Sequence, residues 1–316
     1  MEKISHYQID VSVIIVNYNA LKLLRNCLKS IYTHTKGLKF EVIVIDNNST
    51  DGDVGDLKEE FNELIIIKND NNVGFGPANN QGIQIAKGKY ILFLNNDTYF
   101  IENTLYKVFK FSEEKNEKLF LGCKLLNEDL TLQYSVYNFP TVWGIFTSNF
   151  FLYAIFPKSK IFNKFHLMNR KIDYVCEAEV IIGAFLFCSA AAVRDLEGFD
   201  NKFYFYSEET DLCYRFKKNG GRLFYYPKTS IVHLKGATAD KNPWFKYKNQ
   251  SIAQIKFFQK HFSKFNLIFA LLFHFFGILI RIPLLFVGGV ILGRKRLILR
   301  SFYYLKLLFV YPRNEF

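Results

Sequence analysis

"YILFLNNDTYF", residues 90–100, stays apolar for five residues and then meets two asparagines and an aspartate. A run of that length and composition reads as a strand covered on both faces. In an open α/β sheet the carboxyl ends of the strands line the ligand crevice, so an acid at this point has somewhere to act. The amino-terminal half repeats the pattern. "VSVIIV" (11–16), "FEVIVIDNN" (40–48), "LIIIKN" (64–69) and "KYILFLNND" (89–97) are strand-like. They end in Asn17 and Asn19, in Asp46, Asn47 and Asn48, in Asn69 and Asp70, and in Asn95, Asn96 and Asp97. After the first, "LKLLRNCLKSIY" sets Leu21, Leu24, Leu28 and Ile31 on one helical stripe with Lys and Arg opposite. The alternation predicts an α/β, Rossmann-like, mostly parallel central sheet flanked by helices. Any single Asn or Asp also suits a turn or a cap. Taken as four strand ends, they predict a crevice.

"NVGFGPANNQGIQIAKG" (72–88) opens with Gly74-x-Gly76, but Asn79 stands where a dinucleotide loop needs its third glycine. The segment also follows the third strand, not the first, which argues against a nicotinamide cofactor. A glycine-rich helix start still lets backbone approach a phosphate or sugar.

The formal charge of +12 is unevenly placed. Residues 1–240 carry 28 basic and 28 acidic side chains, whereas 241–316 carry 13 basic ones and one acid, Glu315. Residues 265–293 hold a single formal charge, Arg281, in a stretch long enough to reach across a bilayer. Cations interleaved with Leu, Ile and Phe at this density suit an anionic membrane and not nucleic acid. Lys256, Lys260 and Lys264 precede the stretch and Arg294, Lys295, Arg296 and Arg300 follow it, marking both flanks as cytoplasmic. The expectation is two helices that dip into or lie in the interface, broken near Arg281 and Pro283, in preference to one span. A buried helical pair or an oligomer contact, a dimer included, is the competing reading. "MEKISHYQID" is polar and unlike a signal peptide. The five cysteines form no C-x-x-C pair and read as reduced core residues.

Five segments in order, "VSVIIVNYN", "VIVIDNNSTDG", "NVGFGPANNQG", "YILFLNNDT" and the long run from "VIIGAF" to "TSIVH", resemble inverting glycosyltransferase family 2, with its GT-A fold, over about residues 11–233. The phrase "GFDNKFYFYSEETDLCYR" is similar to the rhamnosyltransferase-like branch. The resemblance implies a nucleotide-sugar donor and a divalent metal, Mg²⁺ or Mn²⁺, that offsets charge on the departing diphosphate. The family's D-x-D element corresponds to Asn95-Asn96-Asp97, with Asp97 as metal ligand and Asn95 in place of the first acid. His233 matches a further metal ligand, and otherwise reads as a structural histidine. Asp46 matches the acid that bonds the donor's pyrimidine, with Asn17, Asn19, Asn48, Gly76, Asn79 and Asn96 shaping the pocket.

The family's E-D-x-D-L pattern places Glu209 as general base, with Glu208 as the substitute and Asp211 as the third acid. Arg215 either pairs with Asp211 one turn away or reaches the diphosphate. Gly183-Ala184 matches a small pair that admits sugar and acceptor. The expected organisation is a catalytic domain at 1–240 and a membrane-association region at 241–316. The partners implied are a lipid-linked glycan acceptor and anionic lipids at the cytoplasmic face of a bacterial inner membrane. dTDP-rhamnose is the leading donor, with UDP-galactose, UDP-galactofuranose or another UDP-sugar open. A nucleotidyltransferase is disfavoured because "NYNALKLL" lacks a basic glycine-rich loop. A non-catalytic glycan- or partner-binding relative stays open through Asn95 and Glu209. The aromatic segment 127–175 is expected to form an acceptor-side lid or a membrane-facing surface.

Overall fold

The computed structural model describes residues 8–165, 172–234 and 242–310. The polar stretch before residue 8, read above as unlike a signal peptide, lies outside the described residues. In chain order the elements are β1 (Ile9–Asn17), α1 (Leu21–His34), β2 (Phe40–Asp46), a 3₁₀ turn (Val54–Glu59), β3 (Ile65–Lys68), α2 (Phe75–Ile85), β4 (Gly88–Asn95), β5 (Thr98–Phe100) and α3 (Thr104–Lys115). There follow β6 (Leu119–Leu126), β7 (Leu132–Gln133), β8 (Val136–Tyr137), α4 (Val142–Asn149), α5 (Leu152–Ile155), β9 (Cys176–Glu177), β10 (Val180–Ile181), β11 (Phe185–Ser189) and α6 (Ala190–Asp195). The chain continues through α7 (Glu208–Lys218), β12 (Arg222–His233), α8 (Pro243–His261), α9 (Lys264–Ile291) and α10 (Lys295–Val310).

The chain divides into two compact units, one of residues 1–137 and 172–241, the other of 138–171 and 242–316. Segment 138–171, which the sequence left inside a continuous 1–240 domain, therefore groups with the carboxyl-terminal helices.

In the first unit the main sheet runs β3-β2-β1-β4-β11-β6-β12-β5. The β3-β2-β1-β4 half is parallel, as the continuous apolar runs require; β1, β2 and β4 are buried on both faces, whereas the edge strand β3 is only partly buried. The register pairs Asn17 with Asp46 and Val16 with Asn95, so the polar strand ends finish on one edge. β11 lies antiparallel between β4 and β6, whereas β12 runs parallel to β6 and antiparallel to β5. His233 is thereby in register with Thr98, next to the N-N-D turn. The predicted α1 stripe is buried at Leu24, Leu28 and Ile31, with Cys27 beside them. These side chains pack on Val13, Ile15, Val44 and Leu92 in the core. Cys27, Cys123, Cys188 and Cys213 are buried thiols without disulfides.

In the second unit α9 is one continuous helix that contains Pro283. The break expected near Arg281 and Pro283 falls instead after Ile291, at Gly293, whose φ is 61°. The charge of Arg281 at the expected break is met by residues of the 138–171 segment. Arg281 donates to Asn149 Oδ1 (3.0 Å) and Ser148 O (2.8 Å) beside α4, and lies over the Phe151 ring at 4.7 Å. Past Gly293, α10 folds back along α9, with Ser301 Oγ donating to Ile282 O (2.9 Å).

Candidate functional site

The polar ends of β1, β2 and β4 form one buried web. Asn17 Nδ2 donates to Asp46 Oδ1 (2.8 Å) and to Ser49 Oγ (3.1 Å), and Asn17 Oδ1 accepts from Asn96 Nδ2 (2.9 Å). Asp46 also accepts from the Ser49 hydroxyl (2.6 Å) and the Ser49 amide (2.9 Å). Asn17, Asp46 and Asn96 are thus buried and committed to protein partners, and they fix the rim loops. Asn19 and Asn48 both take left-handed backbone, at φ 50° and 63°, which Asn tolerates. Asn19 Oδ1 accepts from the Thr50 amide (2.7 Å), and Asn48 Nδ2 donates to Asp70 O (2.9 Å), so each staples one rim loop. Asn79 is 1% exposed and caps the Phe75 carbonyl (2.9 Å), an inward placement in contrast to the pocket-lining one expected.

Gly74 needs its glycine. Its φ is 93°, and a Cβ there would stand 2.6 Å from Tyr204 O. With the Asn80 side chain bonded to both the amide and the carbonyl of Phe199 (2.8 Å each), the start of α2 is clamped to the loop that leads into α7. This clamp brings the glycine loop to the acids. A Cβ on Gly76 would lie 3.8 Å from Glu208 Cβ, and one on Gly183 would lie 3.9 Å from Glu209 Cβ. Ala184 O accepts from the Asn95 amide (3.2 Å), which joins this small pair to the N-N-D turn.

The Asp97 carboxylate sits 3.3 Å from His233 Nε2, and both groups are buried. The other ring nitrogen, Nδ1, is 2.6 Å from Gln133 Oε1. Gln133 Nε2 in turn donates to Asn127 Oδ1 (2.9 Å) and His233 O (3.1 Å), so the amide orientation is fixed and its oxygen must face the ring. His233 Nδ1 is then the donor, and the Nε2 lone pair faces an acid. Two acceptors at that distance require a proton or a cation between them. A hard divalent ion held by one carboxylate, one imidazole and the oxygens of a diphosphate fits this donor set. Among the described residues no group of three or more His, Cys, Asp and Glu gathers for a metal, so the remaining ligands would come from donor and water. Nothing in the sequence marks Gln133, which lies on a two-residue strand inside a segment without a motif.

Two consecutive left-handed residues, Tyr206 (φ 73°) and Ser207 (φ 63°), lead into α7 and turn its first residues inward. Glu208 is buried, and its Oε2 has no hydrogen-bond partner. Burial pushes its carboxyl well above the ordinary range, and the Glu209 charge adds to the effect. Glu209 is partly exposed, and its pKa is also raised, chiefly by burial, with the Thr210 hydroxyl at 3.3 Å acting the other way. Burial thus raises both carboxyls, that of Glu208 the more strongly. Asp211 and Arg215 are placed differently from a direct role. Asp211 is fully buried and pairs with Arg215 Nε (2.7 Å), whose remaining nitrogens donate to Leu196 O and Gly198 O (2.7 Å each). Arg215 is spent on holding α7 in place.

Residues 12–175 match Glycosyl transferase family 2, and residues 163–237 match the N-terminal domain of galactosyltransferase. The chain is similar to the rhamnosyltransferase WbbL of Escherichia coli, at 30% identity over 51% of this chain and 60% of that one. It is also similar to the poly(ribitol-phosphate) beta-glucosyltransferase of Bacillus spizizenii, at 33% identity over 35% of this chain and 18% of that one. The matches thus span less than two thirds of either relative. In fold it resembles the mannosyltransferase PcManGT of Pyrobaculum calidifontis, solved with GDP-Man and Mn²⁺, with a TM-score of 0.57, 15% identity, and coverage of 96% of this chain and 86% of that one.

Proposed function

This chain belongs to glycosyl transferase family 2, and from that premise we propose that it is an inverting transferase moving a sugar from a nucleotide-sugar to a hydroxyl of a lipid-linked glycan in bacterial surface-polysaccharide synthesis. The observation that carries the reading is the Asp97–His233 acceptor pair, placed by the N-N-D turn on the edge where the strands end.

A divalent metal, when bound, would offset the charge that develops on the departing diphosphate. Asp97 and His233 are the side chains that would hold it, with Gln133 keeping the His233 lone pair directed inward. Glu209 takes the proton of the acceptor hydroxyl as that oxygen bonds to the anomeric carbon and the carbon–phosphate oxygen bond breaks, with nucleoside diphosphate leaving from the opposite face. Glu208, protonated behind it, keeps a second negative charge out of the site. Gly76 and Gly183 leave room for the sugar beside the two acids. Asp46, Ser49, Asn17 and Asn96 form the floor under the nucleotide.

The donor assigned is dTDP-rhamnose, supported by the likeness to the E. coli rhamnosyltransferase. The enzyme would work at the cytoplasmic face of the inner membrane, where the cation-flanked apolar helix α9 meets the membrane that holds the acceptor. The test is transfer by the purified chain across dTDP- and UDP-sugars with Mn²⁺ and a bacterial membrane lipid extract. Turnover of dTDP-rhamnose, abolished in Asp97→Ala, is expected. Preferential turnover of a UDP-sugar would replace the donor, and donor binding without turnover in every extract would favour a non-catalytic binder.

A further inference from the structure

A helix on a water-soluble protein turns its apolar side inward and its polar side out. α9 does the reverse. Phe265, Ile268, Leu272, Phe276, Leu279 and Phe286 are exposed, and from Phe265 to Ile291 every exposed side chain is apolar. The six named fall on one half of the circumference at about 100° per residue, and the exposed Leu284 and Ile291 border it. The polar and small residues His274, Gly277 and Arg281 lie on the other half, toward the protein. Only 22% of its most apolar window is buried, so α9 is not a core helix. α10 continues the surface with Leu299, Phe302 and Phe309 exposed.

The charge of this unit selects the partner. Segment 138–171 carries five Lys and Arg and residues 242–316 carry twelve, against the single acid Glu315. Arg294, Lys295 and Arg296 stand exposed at the turn, and Lys264 at the opposite end of α9. Apolar surface bordered by cations fits a bilayer with anionic headgroups.

The packing also decides orientation. Ser301 meets Ile282, and a Cβ on Gly289 would come 2.6 Å from Ile298, so the first turns of α10 lie beside the carboxyl-terminal half of α9. Arg300 and Lys306 of α10 lie over Tyr247 and Trp244 of α8, at 5.5 and 4.5 Å. α8 itself carries Lys246, Lys248, Lys256 and Lys260. If α9 crossed the bilayer, this packing would draw Arg281, Arg300, Lys306 and part of α8 toward the hydrocarbon, where charge is most costly. With α9 parallel to the surface, all of them stay on the protein side or reach headgroups.

We propose that α9 and α10 lie in the plane of one leaflet of an anionic bilayer, the outward half of α9 immersed in lipid and Arg281 facing the protein, without crossing. The inference rests on the membrane-associated reading above but not on transferase activity, and its test needs neither donor nor acceptor.

The full chain, with Cys176→Ser to remove the partly exposed thiol, is expressed with Lys264→Cys or Lys295→Cys and probed in sealed inside-out membrane vesicles with an impermeant maleimide. Both positions are expected to label without detergent. Labelling of Lys295→Cys only after permeabilisation would mean a span and overturn the proposal. In parallel the purified chain is sedimented with phosphatidylcholine vesicles with and without phosphatidylglycerol. Roughly tenfold tighter binding to the anionic vesicles is expected, lost in Phe276→Asp/Phe286→Asp, which alters only exposed positions. Equal binding to both vesicles, or none, would overturn it. A chain that binds in this way yet transfers no sugar would sink the transferase reading alone.

Discussion

At the scale of single residues, burial raises both carboxyls at the start of α7. Glu208 has a folded pKa above its unfolded one. Below about pH 4 both states bind the proton and the group is neutral in its effect. As pH rises, the unfolded chain ionises first, so wild type loses stability that Glu208→Gln keeps. Melting temperature should therefore be higher for Glu208→Gln at pH 7 than for wild type, with the gap closing as pH falls toward 4. For Gln133, replacement by Leu should weaken Mn²⁺ binding, read by electron paramagnetic resonance titration, about 10- to 100-fold, because the imidazole loses the partner that orients it. Binding unchanged by Gln133→Leu would show that His233 is not a ligand. The placement of Asp97, His233, Glu208 and Glu209 at strand ends and a helix start was legible in the sequence because each sits within a motif. Gln133 was not, since its partners Asn127 and His233 reach it through tertiary folding. The same holds for the bonds of Arg215 to Leu196 and Gly198, whereas its pairing with Asp211 and the Asn79 bond to Phe75 follow helical spacing.

At the scale of elements, strands β1, β2 and β4 could be read directly because both faces are buried, and the half-buried edge strand β3 because its isoleucine run is unbroken. Two-residue strands such as β7 and β10 are too short for any periodicity, and only pairing with β6 and β8 defines them. α9 shows the limit of local signals. Arg281 and Pro283 look like a break until α4 supplies partners for the charge and α10 packs alongside. Gly277 makes the α4 contact feasible, since a Cβ there would lie 2.6 Å from Asn149 Cβ. Gly277→Leu should displace α4, cost about 1–3 kcal/mol of stability, and speed proteolysis of segment 138–171 under native conditions. In the first unit, Phe93 is fully buried and packs edge-on against Phe199 at 4.9 Å. Phe93→Ala should cost about 3–5 kcal/mol in denaturant unfolding.

At the scale of the whole molecule, two chemistries occupy two compact units. The first gathers almost all the acids and builds a polar rim at the end of the parallel half of its sheet. The second is cationic and apolar, and its one acid is Glu315. The charge split was visible in the sequence, but the membership of 138–171 in the second unit was not, because it depends on Ser148 and Asn149 meeting Arg281 more than a hundred residues away. In the proposed function Glu209 is the base of a nucleotide-sugar transferase. The most direct measurement pairs donor affinity with transfer rate for wild type and Glu209→Gln, using dTDP-rhamnose, Mn²⁺ and membrane lipid extract. For Glu209→Gln, donor affinity is expected within about threefold of wild type and transfer slower by roughly 10²- to 10⁴-fold, with the wild-type rate falling as pH drops through a carboxyl pKa above the ordinary glutamate value. Transfer by Glu209→Gln at close to the wild-type rate would contradict it.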